Sequence, residues 1–394
     1  SEEKVRDQIL ERRSRTACQA IRVHLERLIF ARRGWSGIGG TGYGGCTVSM
    51  VNQVLSFKEK IIRIAYGVIC FFIYFSGLNY LVSFLRRRRP LILMYHSVNH
   101  RGCPYVYPDN IVNVENFKRQ MHYLSRKKRI ISLSELVEYI ESDIEFPPNV
   151  VVITFDDGYY DFYSKAYPIL KNYKIPCTLF PITRLLTTGE AKWEDALAYL
   201  INITGAKSLT IRIEGVDREY NLFSQRWKLG CIRELNFLLL KMSDAERCNI
   251  LSEIEHQLNL SSKAPERIML SWKEILELQR DGIVSFGPHT HSHCNLAEVS
   301  PEMAELEISK SKEEMERFLG KQCILFSYPF GKKGNFNKEI KEMLRAKGFL
   351  SAVTTIPGRV SKKSDLFELK RIAAIDDASY KFKCSLIGIT LQRS

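Results

Sequence analysis

Residues 150–158 read Val-Val-Val-Ile-Thr-Phe-Asp-Asp-Gly, and they indicate the kind of sheet to which this segment belongs. A nearly continuous apolar run of this length predicts a strand buried on both faces, as in a parallel sheet that helices cover. The strand ends in two adjacent carboxylates, Asp156 and Asp157, followed by a glycine turn. Reactive groups lie at the carboxyl ends of strands in α/β barrels, so we expect chemistry here. An Asx turn or a helix cap is the alternative explanation for Asp-Asp-Gly.

The same alternation of apolar runs and helical periodicity begins at residue 91. Runs of strand length occupy residues 91–95, 150–155, 177–180, 283–286, 324–328, 350–354 and 371–374. Helical spacing lies between them, for example in residues 115–127, 134–142, 301–319 and 336–347. About seven such units favour a distorted (β/α)7 barrel over an open sheet. Residues 187–270 interrupt the alternation with mostly helical sequence and are predicted to be an insertion over one rim.

Three regions are expected along the chain. Residues 1–49 run from an Arg-rich stretch into a Gly-rich one and are expected to be an unstructured or mis-started basic leader. Residues 50–89 are expected to form a hydrophobic, membrane-associated helix with a basic end. Residues 90–394 form the main domain, including the insertion.

Residues 61–85 are apolar over a length that could span a bilayer, which needs about 20 residues. An interfacial helix fits equally well, because the four arginines at 86–89 could meet anionic headgroups. A helix packed on the protein's own surface is the alternative to membrane attachment. If the segment spans, these arginines favour a cytoplasmic main domain, although basic residues flank both ends.

The net charge of +14 is concentrated ahead of the main domain. Residues 1–89 contain 16 Lys and Arg against 6 Asp and Glu, whereas the remaining residues contain 42 against 38. No basic stripe interleaved with aromatic residues follows, so nucleic-acid binding is not expected. The ten cysteines are scattered without a CxxC pair, which favours reduced thiols over a disulfide framework or a zinc knuckle.

A second cluster, Ser-Phe-Gly-Pro-His-Thr-His-Ser-His at 285–293, also follows a predicted strand. His289 and His293 are four residues apart, which lets two imidazoles converge if the segment begins a helical turn, while His291 points elsewhere. One aspartate and two histidines make a ligand set that leaves open metal positions for water and substrate. Zinc is the default ion, and cobalt, nickel or iron would also suit these ligands.

A third cluster, Phe-Ser-Tyr-Pro-Phe-Gly at 326–331, again follows a strand. Pro329 fixes the local backbone, and the next amide could point into the catalytic mouth as an oxyanion donor. An ordinary turn is the alternative explanation.

With these three clusters in this order, the chain resembles the polysaccharide deacetylase family (carbohydrate esterase family 4, the NodB homology domain) over about residues 91–384. Thr-Phe-Asp-Asp-Gly is similar to the family's first motif, and His-Thr-His-Ser-His to its second. Leu-Ile-Leu-Met-Tyr-His-Ser-Val at 91–98 and Leu-Ser-Trp at 270–272 resemble the bacterial, membrane-linked branch involved with exported polysaccharides. The resemblance implies a (β/α)7 barrel that hydrolyses N-acetyl groups on amino sugars.

Transferred residue by residue, the resemblance implies that Asp156 is the general base and that Asp157, His289 and His293 are the metal ligands. The amide of Phe330 would join the metal in the oxyanion hole. The metal would polarise the acetyl carbonyl and hold the water that Asp156 deprotonates.

The chain departs from the family pattern at the arginine that usually orients the base in the third motif. Ser327 stands at the corresponding position. We predict that Arg371, on a later strand, supplies the guanidinium instead. A solvated charge at the end of that strand is the alternative.

The chain also has no histidine after His293, whereas many family members use a late histidine as the general acid. Among the other histidines, only His96 follows a buried strand at the predicted catalytic mouth. We therefore predict that His96 is the acid or contacts the substrate, with a satisfied core histidine as the alternative.

Substrate contacts are predicted for Tyr328, Pro329 and Trp193, and Asp195 could also line the sugar groove. An indole face can stack on a pyranose ring, although packing within a helical layer is the alternative for Trp193.

The predicted function is metal-dependent removal of acetyl groups, most simply N-acetyl groups, from a polysaccharide or amino-sugar glycan. An O-acetyl esterase and a catalytically inactive carbohydrate-binding scaffold are the alternatives. The expected partners are the glycan and a membrane surface reached through residues 61–89.

Overall fold

A computed structural model describes residues 47–263 and 267–390 of the chain, with side chains from residue 61 onward. Most of the expected basic leader, residues 1–46, lies outside the described residues. Residues 88–388 form one compact unit, and a second unit contains the described residues before Arg88 together with those after Gly388.

The larger unit is built on parallel strands whose positions agree with the seven predicted apolar runs. The sheet runs in the order β10-β11-β12-β1-β5-β6-β9, and the short β4 pairs with the beginning of β5. The strands of the described chain are β1 (Leu91–Tyr95), β2 (Ser97–Asn99), β3 (Ile111–Asn113), β4 (Arg129–Ile130), β5 (Val150–Asp157), β6 (Cys177–Pro181), β7 (Ser208–Ile213), β8 (Val216–Asn221), β9 (Val284–Phe286), β10 (Leu325–Ser327), β11 (Ser351–Pro357) and β12 (Leu369–Ala373).

Helices cover the outside of this sheet, as the periodicity predicted. The α-helices of the described chain are α1 (Thr47–Phe75), α2 (Leu78–Leu85), α3 (Val114–Lys127), α4 (Leu133–Glu141), α5 (Tyr167–Tyr173), α6 (Thr183–Thr188), α7 (Trp193–Ile203), α8 (Gln225–Leu239), α9 (Asp244–Leu258), α10 (Trp272–Arg280), α11 (Pro301–Leu319), α12 (Lys338–Ala346) and α13 (Tyr380–Leu386).

The two ends of the sheet come close enough to make a nearly closed barrel. The backbone N–H of Ser327, at the end of β10, donates to the carbonyl of Pro288, just after β9, over 3.2 Å. Gly287 permits this approach, because a Cβ there would collide with the carbonyl oxygen of Leu325. The fold is therefore the expected distorted (β/α)7 barrel.

The continuous apolar run of β5 follows from burial on both of its faces. Val151, Ile153 and Phe155 pack into the layer between sheet and helices. Val150 and Val152 belong to the cluster on the other face, which includes Ile92 and Leu369 of neighbouring strands. Because side chains alternate along a strand, Thr154 and Asp156 follow Val152 on the inner face.

The insertion differs from the sequence prediction in one respect. Between α7 and α8 it forms an antiparallel hairpin, β7 and β8, where mostly helical sequence was expected. Leu209, Ile211 and Ile213 alternate inward along β7 and join a hydrophobic cluster with α7, α8 and α9. A short alternating strand inside a helical segment is easily missed by a search for helical periodicity.

In the N-terminal unit, the apolar run predicted as one helix is two helices. They are bent by 79° at a break between Phe75 and Leu78, where Gly77 has a φ of +80°. Among the described residues, a single helix long and apolar enough to cross a membrane is not found, but the bent pair passes the same test of length and composition.

Candidate active site

The two adjacent carboxylates lie at the end of β5, where the chain leaves the sheet. Asp156 and Asp157 are both buried and pair with Phe180 and Pro181 of β6. Asp157 has a φ of +73° and Gly158 a φ of +87°. A Cβ at Gly158 would lie 2.7 Å from that of Pro181, so the turn requires glycine. This turn sends the two neighbouring carboxylates to different partners.

Asp157 meets the two histidines of the second cluster. Its Oδ1 lies 3.7 Å from Nε2 of His289 and 3.5 Å from Nε2 of His293. The three potential ligand atoms all lie within 4.8 Å of one another. Burial lowers the pKa of both imidazoles, more strongly for His293, despite the opposing charge of Asp157. Neutral imidazoles and an ionised carboxylate are the forms that bind a metal ion.

The histidines converge through a loop, and not through the helical turn expected from their spacing. Thr290 and His293 have φ values of +61° and +67°. The N–H of His293 donates to Oγ1 of Thr290 over 2.9 Å, which closes the turn. His291 points elsewhere, as expected, and its Nδ1 lies 3.1 Å from Oε2 of Glu314.

The donor set fits a tetrahedral metal ion. Atoms about 2.1 Å from a tetrahedral centre are about 3.4 Å apart, close to the separations between Asp157 and the two histidines. Nδ1 of His289 lies 2.7 Å from the carbonyl oxygen of Ser327. That bond places the proton on Nδ1 and leaves Nε2 free for a metal, the usual arrangement of a ligating histidine. Asp157, His289 and His293 could therefore hold a divalent ion.

Asp156 faces the barrel interior and is bound by Arg371. Two guanidinium nitrogens donate to its two carboxylate oxygens over 2.8 and 2.6 Å. The Arg371 side chain is 0% exposed, so it is not a solvated strand-end charge. It also donates to the carbonyl of Thr354 over 2.8 Å and to Oγ of Ser327 over 3.1 Å. Ser327 stands where the family pattern has an arginine, and it contacts Arg371, which binds Asp156 instead.

Burial opposes ionisation of Asp156, but the guanidinium of Arg371, together with His289 and His96, holds the pKa of that carboxyl below its usual value. A carboxylate held ionised and oriented by a planar fork is suited to accept a proton from water.

His96 lies immediately after β1 and is half-buried. Burial lowers the pKa of His96, whereas the charges of Asp157 and Asp156 oppose that shift. Tyr95 of β1 pairs with Phe155 of β5, so His96 and Asp156 follow their strands at the same edge of the sheet. Within the described part of the chain, no hydrogen bond holds the His96 side chain, and its role in proton transfer stays a prediction.

The third cluster brings Phe330 to the histidines. Its ring lies 4.9 Å from that of His293, and its φ is +60°. The hydroxyl of Thr355 donates to the Phe330 carbonyl over 2.5 Å, which fixes the turn after Pro329. The Phe330 N–H donates to no acceptor among the described residues, and its part in an oxyanion hole stays a prediction.

The predicted substrate contact of Tyr328 is contradicted by its burial, whereas the role of Trp193, which is only half-buried, stays a prediction. Tyr328 is fully buried and its hydroxyl donates to the carbonyl of Phe367 over 3.1 Å. Trp193 packs against the insertion's hydrophobic cluster, with the Arg247 guanidinium 5.3 Å from its ring. Asp195, suggested for the sugar groove, is also fully buried and accepts from the Tyr159 hydroxyl over 2.9 Å.

Lys192, which precedes α7, belongs to the site although no sequence motif predicted it. Its ammonium donates to Oδ2 of Asp157 over 2.7 Å, and both side chains are almost completely buried. Burial opposes the ionisation of Asp157, but the charge of Lys192, together with the neighbouring histidines, holds the pKa of Asp157 well below its usual range. Three charged residues within Lys-Trp-Glu-Asp at 192–195, at the start of the apolar helix α7, were the available signal.

The sequence model described as polysaccharide deacetylase matches residues 143–213 and 236–352. Both matched segments fall on the barrel and its insertion, and they contain Asp156, Asp157, His289 and His293. The chain belongs to the polysaccharide deacetylase family.

Similar proteins agree with this family. Protein YxkH of Bacillus subtilis is 22% identical over 282 residues, covering 71% of this chain and 70% of its own. The poly-β-1,6-N-acetyl-D-glucosamine N-deacetylase of Staphylococcus aureus is 24% identical over 276 residues, covering 68% and 69%. The solved Streptococcus pyogenes deacetylase PplD, in complex with acetate, superposes with a TM-score of 0.51 at 21% identity, covering 76% of this chain and 99% of that protein. The last likeness supports the fold.

Proposed function

We propose that this deacetylase removes N-acetyl groups from an amino-sugar polysaccharide, with a divalent metal ion bound by Asp157, His289 and His293. The main support for this proposal is that the two adjacent carboxylates, Asp156 and Asp157, have different partners. Asp157 faces two neutral imidazoles, while Asp156 is held ionised beside them by Arg371. Membership in the family, together with the N-deacetylase relative of S. aureus, supports an acetylated glycan as substrate.

The protein's own groups account for the proton movements of amide hydrolysis. A metal ion on the three ligands would act as a Lewis acid and lower the pKa of water. Asp156 takes the proton of the attacking water, since its carboxylate is ionised and oriented. The Phe330 N–H donates to the oxyanion of the tetrahedral intermediate. His96 then delivers a proton to the departing amine, the role proposed for it from the sequence.

The test is acetate release from matched substrates, with and without a chelator. We expect release from N-acetylated oligosaccharides, beginning with β-1,6-linked N-acetylglucosamine, and loss of release in chelator that added Zn²⁺, Co²⁺ or Ni²⁺ restores. Release from O-acetylated sugars alone would instead identify an O-acetyl esterase. Glycan binding without acetate release in any metal would identify an inactive scaffold.

We also propose that residues 61–89 attach the protein to a membrane surface. Large apolar side chains are exposed on both helices of the bent pair, including Ile64 (66%), Phe72 (65%) and Tyr80 (69%). Arginines at 86–89 follow directly. Exposed aromatic and aliphatic groups beside clustered arginines suit the interface of an anionic leaflet, and the cytoplasmic leaflet is the one that carries such lipids.

A further inference from the structure

The ammonium of Lys192 lies beside the proposed metal ligands and has no role in the proposed mechanism. It lies 2.7 Å from Oδ2 of Asp157, whereas Oδ1 of the same carboxylate faces His289 and His293. The two oxygens of the proposed metal ligand are therefore divided between a fixed cation on one side and the two imidazoles on the other.

The Lys192 side chain is held firmly in this position. It is 5% exposed, and its ammonium lies 5.3 Å from the centroid of the Tyr159 ring. The Tyr159 hydroxyl in turn donates to Asp195, three residues after Lys192 at the start of α7. The Lys192 ammonium is therefore held beside Asp157 in a site from which water is largely excluded.

Each carboxylate of the centre is paired with a buried cation before any metal binds. Arg371 pairs with Asp156, and Lys192 pairs with Asp157. A divalent ion on Asp157 would therefore share that carboxylate with the ammonium of Lys192. The same ligands without Lys192 would offer one net negative charge.

We propose that Lys192 sets the metal affinity of this centre: it confines the ion to Oδ1 of Asp157 and its charge weakens binding, so the metal exchanges readily. This rests on the proposed metal-dependent function. Repulsion between like charges is strong where water is excluded, because the effective dielectric constant is low.

The competing role is positioning, in which Lys192 only orients the carboxylate of Asp157. The two roles make opposite predictions when the charge is removed. A positioning residue strengthens metal binding through its hydrogen bond, so its loss would weaken binding. A repelling charge weakens metal binding, so its loss would strengthen binding.

Two variants separate these roles. Lys192→Gln removes the charge and keeps an N–H donor for Asp157, while Lys192→Met removes both. Lys338→Gln, on an exposed lysine of α12, is the matched control. The Zn²⁺ dissociation constant of each full chain would be measured by competition with a chromophoric chelator, and folding would be checked in chelator by near-UV circular dichroism.

We expect Lys192→Gln to bind Zn²⁺ about tenfold more tightly or better, with Lys338→Gln unchanged, because the variant relieves a repulsion inside a buried site. Lys192→Met should change affinity in the same direction, and if it fails to fold, Lys192→Gln decides. Unchanged or weaker binding by Lys192→Gln would overturn the role of Lys192 while leaving the metal-dependent function intact. Absence of Zn²⁺ binding in every variant would overturn both.

Discussion

Arg371 and Asp156 form a bidentate ion pair inside the barrel, with N–H···O distances of 2.8 and 2.6 Å, although 215 residues separate them in sequence. Both side chains are almost fully buried. Two parallel hydrogen bonds fix the plane of the carboxylate as well as its charge. The geometry explains how a deacetylase without the arginine of the third motif can keep its proposed base ionised.

Arg371→Met should therefore impair both folding and turnover. Leaving Asp156 buried and unpaired should lower the free energy of unfolding by about 3–5 kcal/mol, measured by urea denaturation. Acetate release should fall about 100-fold or more, because the general base loses its ionisation and orientation. Ser327→Ala is the control: it removes a weaker contact with the same carboxylate (3.4 Å) and should cost about 1 kcal/mol. Full turnover by Arg371→Met would contradict the assignment.

The acid limb of the pH–rate profile should report the same ion pair. Because the folded pKa of Asp156 lies below its usual value, Asp156 stabilises the fold above its unfolded pKa, and this contribution is lost as pH falls through the folded pKa. Turnover should accordingly persist below the pH at which an ordinary aspartate protonates. Any residual activity of Arg371→Met should show this limb at higher pH. If the acid limb of Arg371→Met lies at the same pH as that of the wild type, the limb does not report protonation of Asp156.

His96→Gln should remove the alkaline limb of kcat/KM and reduce turnover about 100-fold or more, since a general acid must carry its proton to act. Burial lowers the pKa of His96, so the wild-type alkaline limb should fall at lower pH than an exposed histidine would give. His291→Gln is the matched control, because His291 faces Glu314. If the dependence of kcat/KM on pH is the same in His96→Gln as in the wild type, His96 is not the general acid.

Loss of a proposed ligand histidine, His289 or His293, should lower the bound metal per chain, whereas loss of His291 should not. His293→Ala removes one of three ligands and should lower bound Zn²⁺ well below one per chain after reconstitution, measured by elemental analysis. His291→Ala should retain stoichiometric metal, because its side chain points away from Asp157. Equal metal content in both variants would show that the ion binds elsewhere.

Membrane binding should depend on the bent helix pair. Phe72→Glu combined with Tyr80→Glu places one charge on each exposed helix face and should abolish flotation with vesicles that contain anionic lipid. Phe223→Glu changes an equally exposed phenylalanine of the insertion (67%) and should leave flotation unchanged. Flotation of the wild type should weaken as salt rises, since headgroup attraction is screened. Equal flotation of all three proteins would contradict the proposed surface.

Local sequence patterns predicted the architecture well because each strand and helix carries its own periodicity. The run at 150–155 became β5, and 301–319 became α11 with the same bounds. The hairpin of β7 and β8 was missed, because six residues of alternating burial lie between strongly helical segments. The substrate role given to Tyr328 failed for a related reason: sequence proximity to a site does not say which face of a strand a side chain occupies.

Apolar periodicity and short motifs are encoded locally, so the barrel, the family and the residue types available to the site could be predicted from the chain before it folds. Which of these groups meet depends on the folded structure. It placed Arg371 on Asp156 and Lys192 on Asp157 by bringing together β5, β12 and the chain before α7. Such ion pairs arise from the way strands close a barrel. Positions far apart in the chain become neighbours in a medium where charges must be paired, and no local pattern records that requirement.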